Sequence, residues 1–159
     1  VAGMRHLAGL AATRGVRVVY HHHMGTVIQA ENDLHRLLAE VPQLWLLLDP
    51  GHLAFAGIDP VAIAQRYRTR IAHVHLKSVR PEVAAQVRRE GWSFYRAVRS
   101  GVFTIPGDGC VDFPAIFRIL HEADYQGWPV VEAEEDPVQV PALPKARRAR
   151  EYVRQQAGV

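Results

Sequence analysis

The chain has 159 residues, 48% of them hydrophobic, enough for one globular core, and it holds no apolar run that could span a membrane and no secretory-signal pattern. Its single cysteine, Cys110, rules out an intrachain disulfide framework and fits a reducing cytoplasm, where the protein is expected to work. The formal charge of +3 is more than accounted for by Lys145, Arg147, Arg148, Arg150 and Arg154 set against Glu151, so the rest of the chain is slightly acidic and is no nucleic-acid footprint.

Residues Val1–Thr13 read as a helix closed by Gly15, and Val16–Tyr20 as a short β-branched strand ending in His21-His22-His23. Asn32–Glu40 carries Leu34, Leu37 and Leu38 at helical spacing. Leu44–Leu48 is a second apolar strand, ending at Asp49-Pro50-Gly51-His52. Pro60 suits a helix start, and that helix runs to about Arg68. Ile71–Leu76 is the third strand, followed by Lys77. A longer insertion comes next, with one helix across Pro81–Arg99 and a turn at Ile105-Pro106-Gly107-Asp108-Gly109, which either is a turn alone or borders a substrate. Cys110 reads as a small buried hydrophobe. Asp112 is placed to cap a helix over Pro114–Glu122, Pro129–Glu132 is the fourth strand, and Leu143–Gln156 is a last helix whose basic residues read as a solvated face.

Apolar strands alternating with helices predict a parallel sheet of right-handed βαβ units. Four such units make half of an eight-unit barrel, so the expected class is α/β, the C-terminal half of a (β/α)₈ barrel. The whole chain forms one domain in this reading, residues 1–159. The missing initiator Met and the roughly 250 residues of a complete barrel point the same way, to an N-terminal half that lies elsewhere. An open half-barrel exposes strand edges and apolar faces, so association into a homo-oligomer is expected.

In parallel α/β architectures the side chains at the carboxyl ends of strands converge on one site. Four strand ends here carry His21–His23, Asp49 with His52, His75 with Lys77, and Glu132 with Glu134. Alternation sharpens this: His73, His75 and Lys77 share a face that points into the barrel, while Ala72, Val74 and Leu76 face the helices. Glu132 pairs with Glu134 by the same count, and His21 with His23. Buried carboxylates are costly unless paired or holding a metal, and carboxylates mixed with imidazoles suit a divalent ion such as Mn²⁺, Co²⁺ or Zn²⁺.

Several segments, Tyr20-His21-His22-His23-Met24-Gly25-Thr26, Leu48-Asp49-Pro50-Gly51-His52-Leu53, His73-Val74-His75-Leu76-Lys77, Ile105-Pro106-Gly107-Asp108-Gly109 and Val130-Val131-Glu132-Ala133-Glu134, resemble those of the myo-inosose-2 dehydratases of inositol catabolism. The resemblance covers nearly the whole chain. The Asp-x-Gly-His and His-x-His-Leu-Lys pieces belong to the wider xylose-isomerase-like superfamily. The resemblance implies a lyase that removes water from 2-keto-myo-inositol to give a trihydroxycyclohexane-1,2-dione, with Mn²⁺ or Co²⁺ as cofactor and glutathione as a supporting agent. By position it implies Asp49, His75 and Glu132 as metal ligands, with His21 where a glutamate is usual. It also shows departures: Pro50 where threonine is common, Glu135 where glutamine is common, and Ser78 where an aspartate is expected. The last is expected to cost His75 or Lys77 an orienting carboxylate.

For such a keto-cyclitol substrate the chemistry needs a base for the proton α to the ketone and an acid for the departing β-hydroxyl. Glu134, Lys77 and His52 are the candidates, with no assignment among them, and Lys77 has the alternative role of balancing the carboxylates. Rival readings are a sugar isomerase or epimerase on the same barrel, a DNA-repair endonuclease and a non-catalytic barrel fragment. The endonuclease is disfavoured by the expectation that the chain lacks the additional histidines and carboxylates of a trinuclear site.

Overall fold

A computed structural model describes residues 1–136, 138 and 140–158. In chain order the elements are α1 (Ala2–Ala12), β1 (Val19–His21), α2 (Glu31–Glu40), β2 (Trp45–Leu48), α3 (Pro50–Phe55), α4 (Pro60–Tyr67), β3 (Ile71–Leu76), β4 (Ser78–Val79), α5 (Pro81–Glu90), α6 (Phe94–Arg99), β5 (Phe103–Thr104), α7 (Phe113–Glu122), β6 (Pro129–Val131) and α8 (Ala142–Ala157). Strands β1, β2, β3 and β6 form one parallel sheet in that order, as the alternation predicts.

The core lies between this sheet and the helices. Leu34, Leu37 and Leu38 of α2 meet Leu46 and Leu48 of β2, Val74 and Leu76 of β3, Ile63 of α4, and Phe113, Ile116 and Leu120 of α7. Each fully buried side chain of this size contributes about 1.5–3 kcal/mol, which is what presses the helices onto one face of the sheet. The other face carries the histidines. Alternation fails at one place: the β2–β3 register shifts between Leu46 and Leu47, pairing Leu46 with Ile71 but Leu47 with His73. That irregularity turns Ile71 into the core and leaves Ala72 only partly buried.

The structure departs from the sequence reading at several elements. The first strand is Val19–His21 rather than Val16–Tyr20, because the Val16 N–H donates to Ala11 O at 3.1 Å and closes α1 instead of joining the sheet. The predicted single helix Pro81–Arg99 is two. Gly91, at φ 63, ends α5 in the left-handed region, and Ser93 starts α6 by accepting from the Arg96 N–H. Helix α3 was not expected: Asp49 caps it through the His52 N–H and Pro50 takes its first position. The antiparallel pair β4–β5 was also missed, being two residues on each strand and too short to show a period.

The insertion folds as a second small core of Val79, Ala84, Val87, Ala97, Val102 and Phe103, with Phe55 and Phe94 packed against it. It stands beside the carboxyl ends of the strands. Asp112 caps α7 as the sequence predicts, accepting from the Ala115 N–H at 3.0 Å. Cys110 is exposed rather than buried. Its N–H is tied to Val79 O at 2.9 Å, so the backbone is anchored there while the side chain stays outside. No helix among the described residues is long and apolar enough to cross a membrane.

Candidate metal and proton-transfer site

Strand alternation and strand-end position bring seven side chains together. His21 ends β1, Asp49 follows β2, His75 lies near the end of β3, and Glu132 follows β6. One donor atom from each of these four lies within 4.8 Å of the others. His21 Nε2 is 3.1 Å from Asp49 Oδ2, and His75 Nδ1 is 3.4 Å from Asp49 Oδ2 and 3.1 Å from Glu132 Oε2. A second set, His23, His52 and Glu134, lies alongside, again with donor atoms within 4.8 Å.

Lys77 joins the two sets. It is 0% exposed, and its Nζ donates to Glu132 Oε2 at 2.6 Å and Glu134 Oε2 at 2.9 Å. Asp49 Oδ2 lies at 3.2 Å and His52 Nε2 at 3.1 Å from the same nitrogen. Gly51 makes room for this. A Cβ there would come within 2.6 Å of Lys77 Cγ, so only glycine lets the first turn of α3 lie against the lysine stem. Phe103 covers the ammonium at 5.2 Å and stands edge-on to His52, while Phe94 stands edge-on to His23.

Protonation follows from these contacts. Burial pushes the Asp49 carboxyl up, but His21, His75 and the nearby Lys77 charge outweigh it and hold it well below the usual range. Burial likewise opposes the charge on Lys77, and Asp49, Glu132 and Glu134 overcome it, raising its pKa. Glu132 is lowered because Lys77 outweighs its burial. For His52 burial prevails: it takes the pKa down to about 2 against the opposing charge of Asp49, with Lys77 adding to the fall, and leaves a neutral ring.

The residues present fit a divalent ion. His75 Nδ1 is buried and, although two carboxylates flank it, makes no hydrogen bond of acceptable geometry with either. An imidazole nitrogen in that state is suited to a metal. The charges agree: three carboxylates face one ammonium, an excess of two negative charges that a single divalent ion would cancel. Two imidazoles and two carboxylates are a donor set for Mn²⁺, Co²⁺ or Zn²⁺.

Every residue named from sequence as a metal ligand or proton-transfer candidate, His21, His52, Asp49, His75, Lys77, Glu132 and Glu134, lies in this cluster. Ser78, where an aspartate is expected, is buried with its Oγ accepting from the Val111 N–H at 3.2 Å. The second donor set, His23, His52 and Glu134, stands beside the first. Part of the C-terminal basic cluster is not a solvated face: Lys145 Nζ reaches Asp108 at 2.9 Å and Glu135 at 3.3 Å, and Arg148 reaches Asp108 at 3.1 Å. Arg80 completes that network, and nothing in local sequence pointed to it. His23, paired with His21 by strand parity in the sequence, lies in the second set. His22, of opposite parity, is buried away from the site with its Nε2 2.9 Å from Gln29 O.

The family model described as xylose isomerase-like TIM barrel matches residues 1–156. The chain belongs to this family. Among curated relatives, it is similar to the inosose dehydratase of Clostridium beijerinckii, 44% identical over 158 residues, covering 98% of this chain and 53% of that protein. The inosose dehydratase of Geobacillus thermodenitrificans is 47% identical over 161 residues, covering 100% and 54%. The chain thus spans about half the length of the curated relatives it matches. Among solved structures, the probable 3-DHS dehydratase AsbF of Bacillus anthracis superimposes with a TM-score of 0.72 at 20% identity, over 96% of this chain and 54% of that one. The IOLI protein, solved with a binding zinc atom, gives 0.69 at 15% identity, over 98% and 54%. At these identities the likeness to the solved structures is one of fold.

Proposed function

We propose that this chain is the C-terminal, metal-bearing half of a barrel hydro-lyase that dehydrates 2-keto-myo-inositol to a trihydroxycyclohexane-1,2-dione in the cytoplasm. The observation that carries the reading is the donor set of His21, Asp49, His75 and Glu132 at four neighbouring strand ends, with an unbonded His75 Nδ1 and an uncancelled double negative charge. The names of the relatives, at 44–47% identity along nearly the whole chain, supply the substrate class. Those four residues would hold the ion, proposed as Mn²⁺ or Co²⁺. When bound, it would acidify the proton α to the substrate ketone and stabilise the enediolate. Glutathione enters as a supporting agent through the family resemblance alone.

The remaining residues divide the proton work. Glu134 lies 3.5 Å from His52, and both touch Lys77, so a proton taken by the carboxylate can be passed within the group. His52 stays neutral and accepts a hydrogen bond from the Lys77 ammonium at 3.1 Å. Lys77, fully buried, orients both and holds the positive charge between them. Phe94 and Phe103 limit the access of water on this side.

Incubation of the complete protein with inosose tests the reading. A diketone chromophore is expected, whereas an epimerase would leave a saturated ketose and no chromophore. His75→Ala and Glu132→Gln should each abolish dehydration and lower metal content with little loss of folded protein. Wild-type turnover and metal content in both variants would refute the assignment.

A further inference from the structure

We infer that Lys77 is a built-in cation standing where a second metal ion would otherwise sit, so that a site with two donor sets takes one divalent ion. This rests on the proposed metal role of the first set, His21, Asp49, His75 and Glu132. The second set, His23, His52 and Glu134, offers an imidazole–imidazole–carboxylate group of the kind that holds such ions by itself. The two sets are adjacent, and the Lys77 Nζ contacts both: Asp49 Oδ2 and Glu132 Oε2 of the first, His52 Nε2 and Glu134 Oε2 of the second. Four donors at 2.6–3.2 Å surround the ammonium as they would surround an ion, at the longer distances that hydrogen bonds require.

Three features hold the lysine there. Gly51 lies against its stem, Phe103 covers its head, and no part of it reaches solvent. An ion bound by His52 and Glu134 would need bonds of about 2.0–2.3 Å to atoms that already touch the ammonium, placing two cations side by side. The charge balance agrees, since three carboxylates, one ammonium and one divalent ion sum to neutrality. The consequence is chemical. Paired ions suit the activation of water for hydrolysis, whereas one ion beside an ammonium leaves Glu134 free to carry a proton.

Metal stoichiometry tests this directly. The protein carrying this chain is stripped with chelator, loaded with excess Co²⁺, desalted and analysed for cobalt per chain and by electron paramagnetic resonance. Wild type should hold one ion with an uncoupled signal. Lys77→Met should hold two, a doubling, with the signal attenuated by exchange coupling. Adding Glu134→Gln or His23→Ala to Lys77→Met should bring the count back to one. In the wild-type background those same two changes should leave the single ion in place, which checks the separation of the sets even if Lys77→Met fails to fold. Two ions in wild type, a folded Lys77→Met with one, or loss of the first ion in Glu134→Gln would overturn the inference. Wild type without any ion would instead refute the first donor set, a different failure.

Discussion

Asp49 works with both of its oxygens. Oδ1 accepts the His52 N–H at 3.1 Å and starts α3, while Oδ2 faces His21, His75 and Lys77. The two roles are separable. Asp49→Asn keeps an oxygen for the cap, while Asp49→Ala removes it, so the alanine variant should be less stable by a further ~1 kcal/mol. Urea unfolding of the metal-free pair measures that gap, and equal midpoints would mean that Oδ1 contributes nothing. Both should lose metal. Gly51→Ala is the matching test of space: its methyl group would overlap Lys77 Cγ, forcing one or the other to move. A loss of about 1–3 kcal/mol is expected from such overpacking, read as a shift in the thermal midpoint.

At the scale of elements, the loop after β5 and the segment after β6 are locked to α8 by ion pairs. Arg80 Nη2 lies 2.9 Å from Glu135 Oε1 and donates to Thr104 Oγ1 at 2.8 Å, and Lys145 and Arg148 hold Asp108. This clamp sits next to Glu134, whose backbone has φ 32, an uncommon conformation for a residue with a side chain. Burial raises the Asp108 pKa, but Lys145, Thr104 and Arg148 outweigh it and depress it below the ordinary aspartate value. A carboxyl depressed in the folded state stabilises the protein above its unfolded pKa of about 3.9 and loses that contribution as pH falls through the folded value. Wild type should therefore exceed Asp108→Asn by roughly 1–2 kcal/mol at neutral pH, partial exposure having been allowed for. The gap should close as the pH drops below about 4. A gap that persists in acid would place the stabilisation elsewhere. Glu135→Gln, which restores the residue common in the resembling family, should weaken the clamp while leaving metal content unchanged.

Across the whole molecule, β1 and β6 stand at the two ends of the sheet, each with an edge unpaired among the described residues. Apolar groups accompany them: Trp128 is 83% exposed, and Val130, Val131, Leu7 and Leu10 are exposed as well. His21 ends β1 and Glu132 follows β6, so half of the proposed ligand set rests on the least supported elements. The chain alone should associate with increasing concentration, seen in sedimentation as species heavier than its 17.8 kDa. A chain that stays monomeric at high concentration, with no partner half, would count against barrel completion.

The order of strands and helices, the inward face of β3 and the strand-end positions of His21, Asp49, His75, Lys77, Glu132 and Glu134 could be read from the sequence by itself. These depend on local periods and on short-range punctuation by Gly, Pro and Asp, which act over a few residues. Tertiary structure alone decided the rest. The split at Gly91 turned on one left-handed residue inside a helical pattern, and β4–β5 form only because Ser78 and Thr104 are brought together. The complete burial of Lys77, the pairing of the two donor sets and the Arg80–Glu135–Lys145 clamp join residues tens of positions apart. Contacts at such separations leave no periodic trace, because they are set by how the insertion and α8 pack on the sheet rather than by the chain around each residue.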